Sequence, residues 1–141
     1  MTEVSLPYHL IIPSIISFIV LVILFIKRNK IFKNDKMRWF WISTTAFFIL
    51  YFLIVSWATY SDISSELILQ KFDLNGDGFF NGNEITSEQK KAMNNLINDT
   101  GRNFSFITGF IFSGIIALFV FIFGNTFSYI KRTYKMRLTS Q

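Results

Sequence analysis

The side chains of this sequence that could bind a metal ion are concentrated in one twelve-residue segment, 73–84, which reads DLNGDGFFNGNE. Asp or Asn stands at its first, third, fifth and ninth positions, and Glu closes it at the twelfth. A hard cation such as Ca²⁺ takes about six to eight oxygen ligands, so a chain that winds round the ion must offer oxygens from alternate positions. Three interspersed glycines permit such tight winding, because glycine adopts backbone conformations that other residues avoid. The segment therefore predicts a calcium-binding loop.

Segment 73–84 satisfies the pattern D-x-[DN]-x-[DN]-G-x5-E at every position, and the surrounding region 62–97 resembles the EF-hand family. The resemblance implies a helix–loop–helix that binds one Ca²⁺ through six residues, one of which contributes its backbone carbonyl. By position these are Asp73, Asn75, Asp77, Phe79 (through its carbonyl), Asn81 and Glu84. With three carboxylates and two amides we expect modest affinity, since extracellular modules of this kind often bind Ca²⁺ at about 0.1–1 mM.

The flanks of the loop agree with this resemblance in part. Apolar residues recur near helical spacing before the loop and again from Ala92 onward. However, Glu88 and Gln89 stand where EF-hand exiting helices usually carry apolar residues. We therefore predict that the exiting helix begins afresh at Thr86, with Gln89 as its capping partner, or packs differently. EF-hands also usually occur in pairs, and this chain has one.

Three long apolar segments must position this loop. Only 16% of the residues are charged, against about 25% in soluble domains. Segments 8–26, 39–60 and 104–129 contain no Asp, Glu, Lys or Arg and approach or exceed the roughly 20 apolar residues that a spanning helix needs. Segment 8–26 could also be a secretory signal peptide, but Glu3 precedes it without any Lys or Arg, so we predict a retained helix.

These segments predict an all-α membrane protein with three transmembrane helices and one helix–loop–helix EF-hand between the second and third. The corresponding division of the chain is 1–38 (first transmembrane helix and basic loop), 39–60 (second helix), 61–103 (EF-hand), and 104–141 (third helix and basic tail).

The distribution of charge predicts the orientation in the membrane. Segment 27–38 holds six Lys or Arg against Asp35 alone, and the tail 131–137 holds four with no acid. Segment 61–103 holds seven acids and four bases. Because cytoplasmic loops are enriched in Lys and Arg, we expect the basic loop and C-terminus in the cytoplasm, and the N-terminus and EF-hand outside it. Composition favours a bacterial inner membrane. The basic residues suit anionic lipid headgroups, and we expect no nucleic-acid partner.

Several classes of function are disfavoured by the residues that the chain lacks. It has no cysteine and one histidine, so disulfides, thiolate metal sites and histidine clusters are excluded. No nucleophile–base pair is evident, so we expect that the protein is not an enzyme. The spans lack charged residues, which disfavours a proton-coupled transporter.

Three functions remain open at this stage. The first is a calcium-responsive membrane protein whose EF-hand regulates how its membrane helices pack or associate, with self-association or a membrane-protein partner. The second is an accessory or scaffold subunit of a larger membrane complex, with calcium as a structural staple. The third is an oligomeric calcium-gated pore, with polar residues such as Ser113 and Asn125 facing inward.

Small residues recur at close spacing on the third span: Gly109, Ser113, Gly114 and Ala117. Such faces let helix backbones approach closely. The sequence leaves open whether they contact helices of the same chain or another subunit.

Overall fold

The computed structural model describes residues 5–31 and 37–139, and these form helices with no strand among them. In chain order the helices are α1 (Tyr8–Ile31), α2 (Arg38–Gln70), α3 (Ser87–Ile97), α4 (Thr100–Asn103) and α5 (Ser105–Thr139). A single 3₁₀ turn, Gly82–Glu84, precedes α3. Three of the helices are long and apolar enough to cross a membrane. This confirms the prediction of an all-helical protein with three candidate membrane spans. Parts of the predicted basic loop, including Lys33 and Lys36, lie outside the described residues.

The second spanning helix is longer than a membrane requires. α2 has 33 residues, which at 1.5 Å per residue gives about 50 Å, whereas the hydrocarbon core is about 30 Å thick. It continues without a break through the predicted boundary at residues 60 and 61 and ends at Gln70. The segments predicted as the second span and as the entering helix of the loop are therefore parts of one helix.

α2 is the central helix of the bundle, because it packs against both α1 and α5 while those two make few contacts with each other. Leu10 of α1 lies in a buried cluster with three residues of α2: Tyr51, Val55 and Ala58. Apolar lipid provides no hydrophobic drive for helix association, so close packing and interhelical hydrogen bonds must hold the helices together. The Tyr51 hydroxyl donates to the Phe106 carbonyl of α5 at 3.1 Å.

Small residues set the distance between α2 and α5. A Cβ atom added to Gly109 would lie 2.8 Å from Cγ2 of Ile54, which is closer than van der Waals contact allows. Gly124, fifteen residues further along α5, lies directly against the indole ring of Trp39. That indole also donates to the Ser128 hydroxyl at 2.5 Å. These small residues thus contact the chain's own α2, and Gly124 contributes although the sequence pattern did not single it out.

Contacts at the two ends of the bundle show which segments share an end. The Ser5 backbone N–H donates to the Glu66 carboxylate at 2.6 Å, so the N-terminal segment lies beside the part of α2 that leads into the loop. Trp39 and Ser128 meet at the opposite end. The N-terminal segment and the loop therefore lie at one end of the bundle. Which membrane face that end occupies stays a prediction.

The tight contact at Gly124 predicts that Gly124→Ala destabilises the protein. The added methyl group must displace the Trp39 ring, and overpacking of this kind costs about 1–3 kcal/mol. Gly114→Ala is the matched control, because a Cβ there would lie 4.0 Å from its nearest neighbour, Cε2 of Phe47. Heat-induced aggregation in detergent should begin at a lower temperature for Gly124→Ala, and at an unchanged or higher one for Gly114→Ala. Equal temperatures for the two variants would contradict this account of the packing.

Candidate metal site

The predicted calcium loop connects the end of α2 to the start of α3. The N–H of Asp73 donates to the carbonyl of Gln70 at 3.2 Å, so the loop begins directly on the last turn of α2. At the other end, Thr86 caps α3, and its hydroxyl accepts from the Gln89 N–H at 3.1 Å. The helix start predicted at Thr86 is thereby confirmed, whereas its role as the exiting helix of an EF-hand stays a prediction. The first turn of α3 follows Glu84 by three residues.

Glycines allow the loop to reverse direction. Gly76, Gly78 and Gly82 have φ angles of +71°, +83° and +51°, and no other kind of residue in the described chain has a positive φ. At Gly78 the left-handed backbone follows directly after Asp77, where the chain must turn back for its second half. A side chain there would introduce strain, because L-residues avoid this region.

The first half of the loop is wound round the carboxylate of Asp73. One Asp73 oxygen accepts from the N–H of Gly76 at 2.8 Å, and the other accepts from the N–H of Gly78 at 2.9 Å. Asp77 accepts from the N–H of Phe79 at 2.7 Å and from the side-chain amide of Asn75 at 2.8 Å. Short polar side chains that bond the backbone two or more residues ahead stabilise turns of this type.

Glu84 joins the two ends of the loop. Its Oε1 accepts from the N–H groups of Leu74 at 2.8 Å and Asn75 at 3.2 Å, and its Oε2 accepts from that of Asn81 at 3.0 Å. The residue is buried, being only 7% exposed. A buried carboxylate is costly unless it is hydrogen-bonded, and these charge-assisted bonds supply that compensation. The closing residue of the motif is thus also the residue that holds the loop shut.

The donor set suits a hard cation, since it offers carboxylate and amide oxygens and no nitrogen or sulfur ligand. The structure brings Asn75 and Asp77 into contact and places Glu84 beside the start of the loop. It does not bring Asp73, Asp77 and Glu84 into one cluster: within the described chain, no group of three or more His, Cys, Asp or Glu residues is placed to hold a metal ion. Calcium binding would require these carboxylates to turn from backbone N–H groups toward a common centre.

A buried arginine lies between the loop and the membrane helices. The Arg102 side chain is 4% exposed, and its Nε lies 2.9 Å from Oδ1 of Asp62. The Nε–H does not point along that line, so the contact is an ion pair rather than a directed hydrogen bond. The two terminal nitrogens donate to the Ser65 hydroxyl at 3.2 Å and to the Leu96 carbonyl at 2.7 Å.

These contacts join the two helices that flank the loop. Asp62 and Ser65 belong to α2, and Leu96 lies in the last turn of α3. Asp99 supports the arginine locally, since its Oδ1 accepts from the Arg102 backbone N–H at 3.0 Å. In the sequence Arg102 is one of four bases of segment 61–103, and the sequence patterns predicted no role for it. The sequence held only a weak indication that this residue is buried and paired: it is an arginine rather than a lysine, it follows Asp99 by three residues, and it lies just before an apolar segment.

The Arg102 contacts predict that Arg102→Gln loosens α3 from α2. Removing one partner of a buried ion pair leaves Asp62 without compensation, which costs about 3–5 kcal/mol. Amide hydrogen exchange across α3 should accelerate at least tenfold, while the membrane-embedded part of α2 keeps its protection. Lys91→Gln removes an exposed cation of α3 and serves as the control. Unchanged exchange in Arg102→Gln would show that Arg102 does not hold α3 in place.

No family model matches the chain, and comparison with curated proteins and with solved structures also found no match. The resemblance of 62–97 to the EF-hand family therefore rests on the residues of the loop and its flanks.

Proposed function

We propose that this chain is a calcium-binding integral membrane protein, in which loop 73–84 and its flanking helices are an EF-hand that regulates the packing or association of the membrane helices. The observation that carries the proposal is the continuity of α2. This helix runs without a break from Arg38 to Gln70 and ends three residues before Asp73. A conformational change at the loop would therefore act on the same rigid element that forms the core of the bundle.

The length of α2 allows a small rotation to have a large effect. Val55 of the buried cluster and Gln70 are fifteen residues apart on α2, or about 22 Å at 1.5 Å per residue. A tilt of about 10° over that distance moves one end by about 4 Å. Sensor EF-hands change their interhelical angle by tens of degrees when they bind calcium.

Glu84 supplies a chemical route for the change. It bonds the N–H groups of Leu74, Asn75 and Asn81, and a bound calcium ion would compete for the same two carboxylate oxygens. Rotation of Glu84 toward the ion would release the N–H groups that connect the end of the loop to its beginning. The position of α3 relative to α2 would change as a consequence.

Arg102 supplies the route to α5. Its contacts with Asp62 and Leu96 join α2 to α3, and α5 begins three residues later at Ser105. A change in the angle between α2 and α3 would therefore alter the guanidinium contacts and displace the start of α5.

The proposal includes an orientation and a mode of association. Lys and Arg are enriched in the loop before α2 and in the C-terminal tail, which supports placing those segments in the cytoplasm and the EF-hand outside it, as in a bacterial inner membrane. Leu74 and Phe79 are 77% and 71% exposed on the loop, beyond the membrane-spanning part of α2. EF-hands usually occur in pairs and this chain has one, which favours association with another copy or another membrane protein, and these two side chains are available for such a contact.

Calcium titration of the purified protein in detergent by calorimetry tests the metal site. The wild type should bind with one saturable site, and Glu84→Gln should lose it or bind at least tenfold more weakly. Glu88→Gln is the matched control, because Glu88 is an exposed acid of the same segment outside the loop. Hydrogen bonds from its own backbone N–H and from the hydroxyls of Ser87 and Thr86 lower the pKa of the Glu88 carboxyl, so it is charged at neutral pH. If neither calorimetry nor hydrogen exchange of 73–84 responds to calcium, the metal assignment is wrong.

Distance measurements between spin labels test regulation separately from binding. The chain has no cysteine, so pairs of introduced cysteines can be labelled without background. One pair, at the exposed residues Leu67 and Lys91, reports the α2–α3 angle, and a second, at Phe40 and Tyr129, reports α2–α5 packing at the opposite end.

Calcium should shift both distance distributions by several ångströms in the wild-type background and neither in Glu84→Gln. A shift of the first pair alone would confine the effect to the loop. Calcium binding without a shift in either pair would overturn regulation and favour a structural staple.

A further inference from the structure

A cleft of about 510 Å³ opens between α2 and the start of α5, at the end of the bundle that carries the loop. Its apolar part is lined by Leu53, Ile54 and Trp57 of α2. Its polar part is lined by Ser61 of α2, together with Asp99 and Arg102. The cleft is distinct from loop 73–84, and none of the six predicted calcium ligands lines it.

The polarity of the cleft changes along the axis of α2. Leu53, Trp57 and Ser61 follow one another at four-residue intervals and so lie on one face of the helix. Eight residues correspond to about 12 Å. The apolar end points toward the middle of the span and the polar end toward the loop. Exposed Trp57 and Tyr60, with ring centroids 6.1 Å apart, are of the residue types that are enriched at the level of lipid headgroups. A phospholipid changes in the same way over a similar distance, from an apolar acyl chain to a polar headgroup.

The charges at the polar end favour a cation. Two carboxylates, Asp62 and Asp99, pair with the Arg102 guanidinium, which gives this group a net charge of −1; of the two carboxylates, Asp99 lines the cleft. Asp62 forms the closer pair with Arg102, at 2.9 Å, and its side chain is 15% exposed. Asp99 lies 3.6 Å from the guanidinium, and its side chain is 44% exposed. The surplus negative charge therefore resides on Asp99, which lines the cleft and is accessible from it.

We propose that this cleft binds a phospholipid with an ammonium headgroup, such as phosphatidylethanolamine. The amine contacts the Asp99 carboxylate and the exposed face of Trp57, which attracts cations through its ring quadrupole. The acyl chain lies along Leu53 and Ile54. An anionic headgroup is disfavoured, because the Arg102 guanidinium already pairs with Asp62 and donates to the Ser65 hydroxyl and the Leu96 carbonyl, and the remaining charge is negative.

Native mass spectrometry tests the proposal on the full chain, with equimolar phosphatidylethanolamine and phosphatidylglycerol that carry identical acyl chains. The measurement is made in EDTA, so that it does not depend on calcium binding. The wild type should retain the ethanolamine lipid roughly threefold to fivefold over the glycerol lipid, the contribution expected of one partly exposed ion pair.

Asp99→Asn should abolish this preference. Asn is also a good helix N-cap, so the contact of residue 99 with the Arg102 N–H can persist and the local fold is kept. Glu88→Gln, which removes an acid of α3 away from the cleft, should retain the preference. Trp57→Leu gives a second variant, and it should weaken retention of the ethanolamine lipid.

Equal retention of the two lipids by the wild type, or a preference for phosphatidylglycerol, would overturn the proposal. So would a preference that survives in both Asp99→Asn and Trp57→Leu. None of these outcomes bears on the calcium site, which the EDTA removes from the experiment.

Discussion

Hydrocarbon cannot hydrogen-bond a peptide group, and the architecture of this protein follows from that constraint. Each segment that crosses the membrane must bond all of its backbone groups internally, so it must be a continuous helix. α2 contains neither glycine nor proline between residues 38 and 70, and nothing ends the helix where the apolar run ends. It therefore continues as a helix beyond the apolar run and leads directly into the loop. The predicted calcium loop is in this way connected directly to the helix that forms the centre of the bundle.

Within the bundle, a few contacts compensate for the missing hydrophobic drive between helices. Tyr51 bonds a carbonyl of α5, and hydroxyls of Ser14 and Ser56 meet at 2.7 Å between α1 and α2. Gly109 and Gly124 let α5 approach α2 closely enough for side chains to interlock. All of these contacts involve α2, which explains why α1 and α5 need little contact with each other.

At the end of the bundle that carries the loop, polar contacts rather than apolar packing hold the segments together. Glu84 closes the loop, and Arg102 joins α2 to α3 immediately before α5 begins. Asp99, the more exposed of the two carboxylates that pair with Arg102, lines the cleft proposed to bind a lipid. Arg102 thus takes part in both proposals. The proposed calcium response depends on its contacts with α2 and α3, and the proposed lipid site depends on the negative charge of Asp99, which Arg102 does not fully balance.

The features that the sequence determined by itself are local. The three spans follow from uninterrupted apolar residues, and the start of α3 follows from the Thr86 cap. Glycine was also expected where the loop turns, and Gly76, Gly78 and Gly82 have positive φ. Each of these depends on residues within a few positions of one another. The sequence also shows that the loop is rich in side-chain oxygens, whereas binding of a metal ion stays a prediction.

Only the tertiary structure decided the contacts between residues distant in the chain. Hydropathy marks where a helix touches lipid rather than where it ends, so the continuation of α2 to Gln70 did not follow from the apolar run. Arg102 is buried because Asp62, forty residues earlier, and the Leu96 carbonyl surround it. Gly124 is needed because Trp39 lies against it. Such pairs arise from how the helices are arranged, and local composition carries no record of that arrangement.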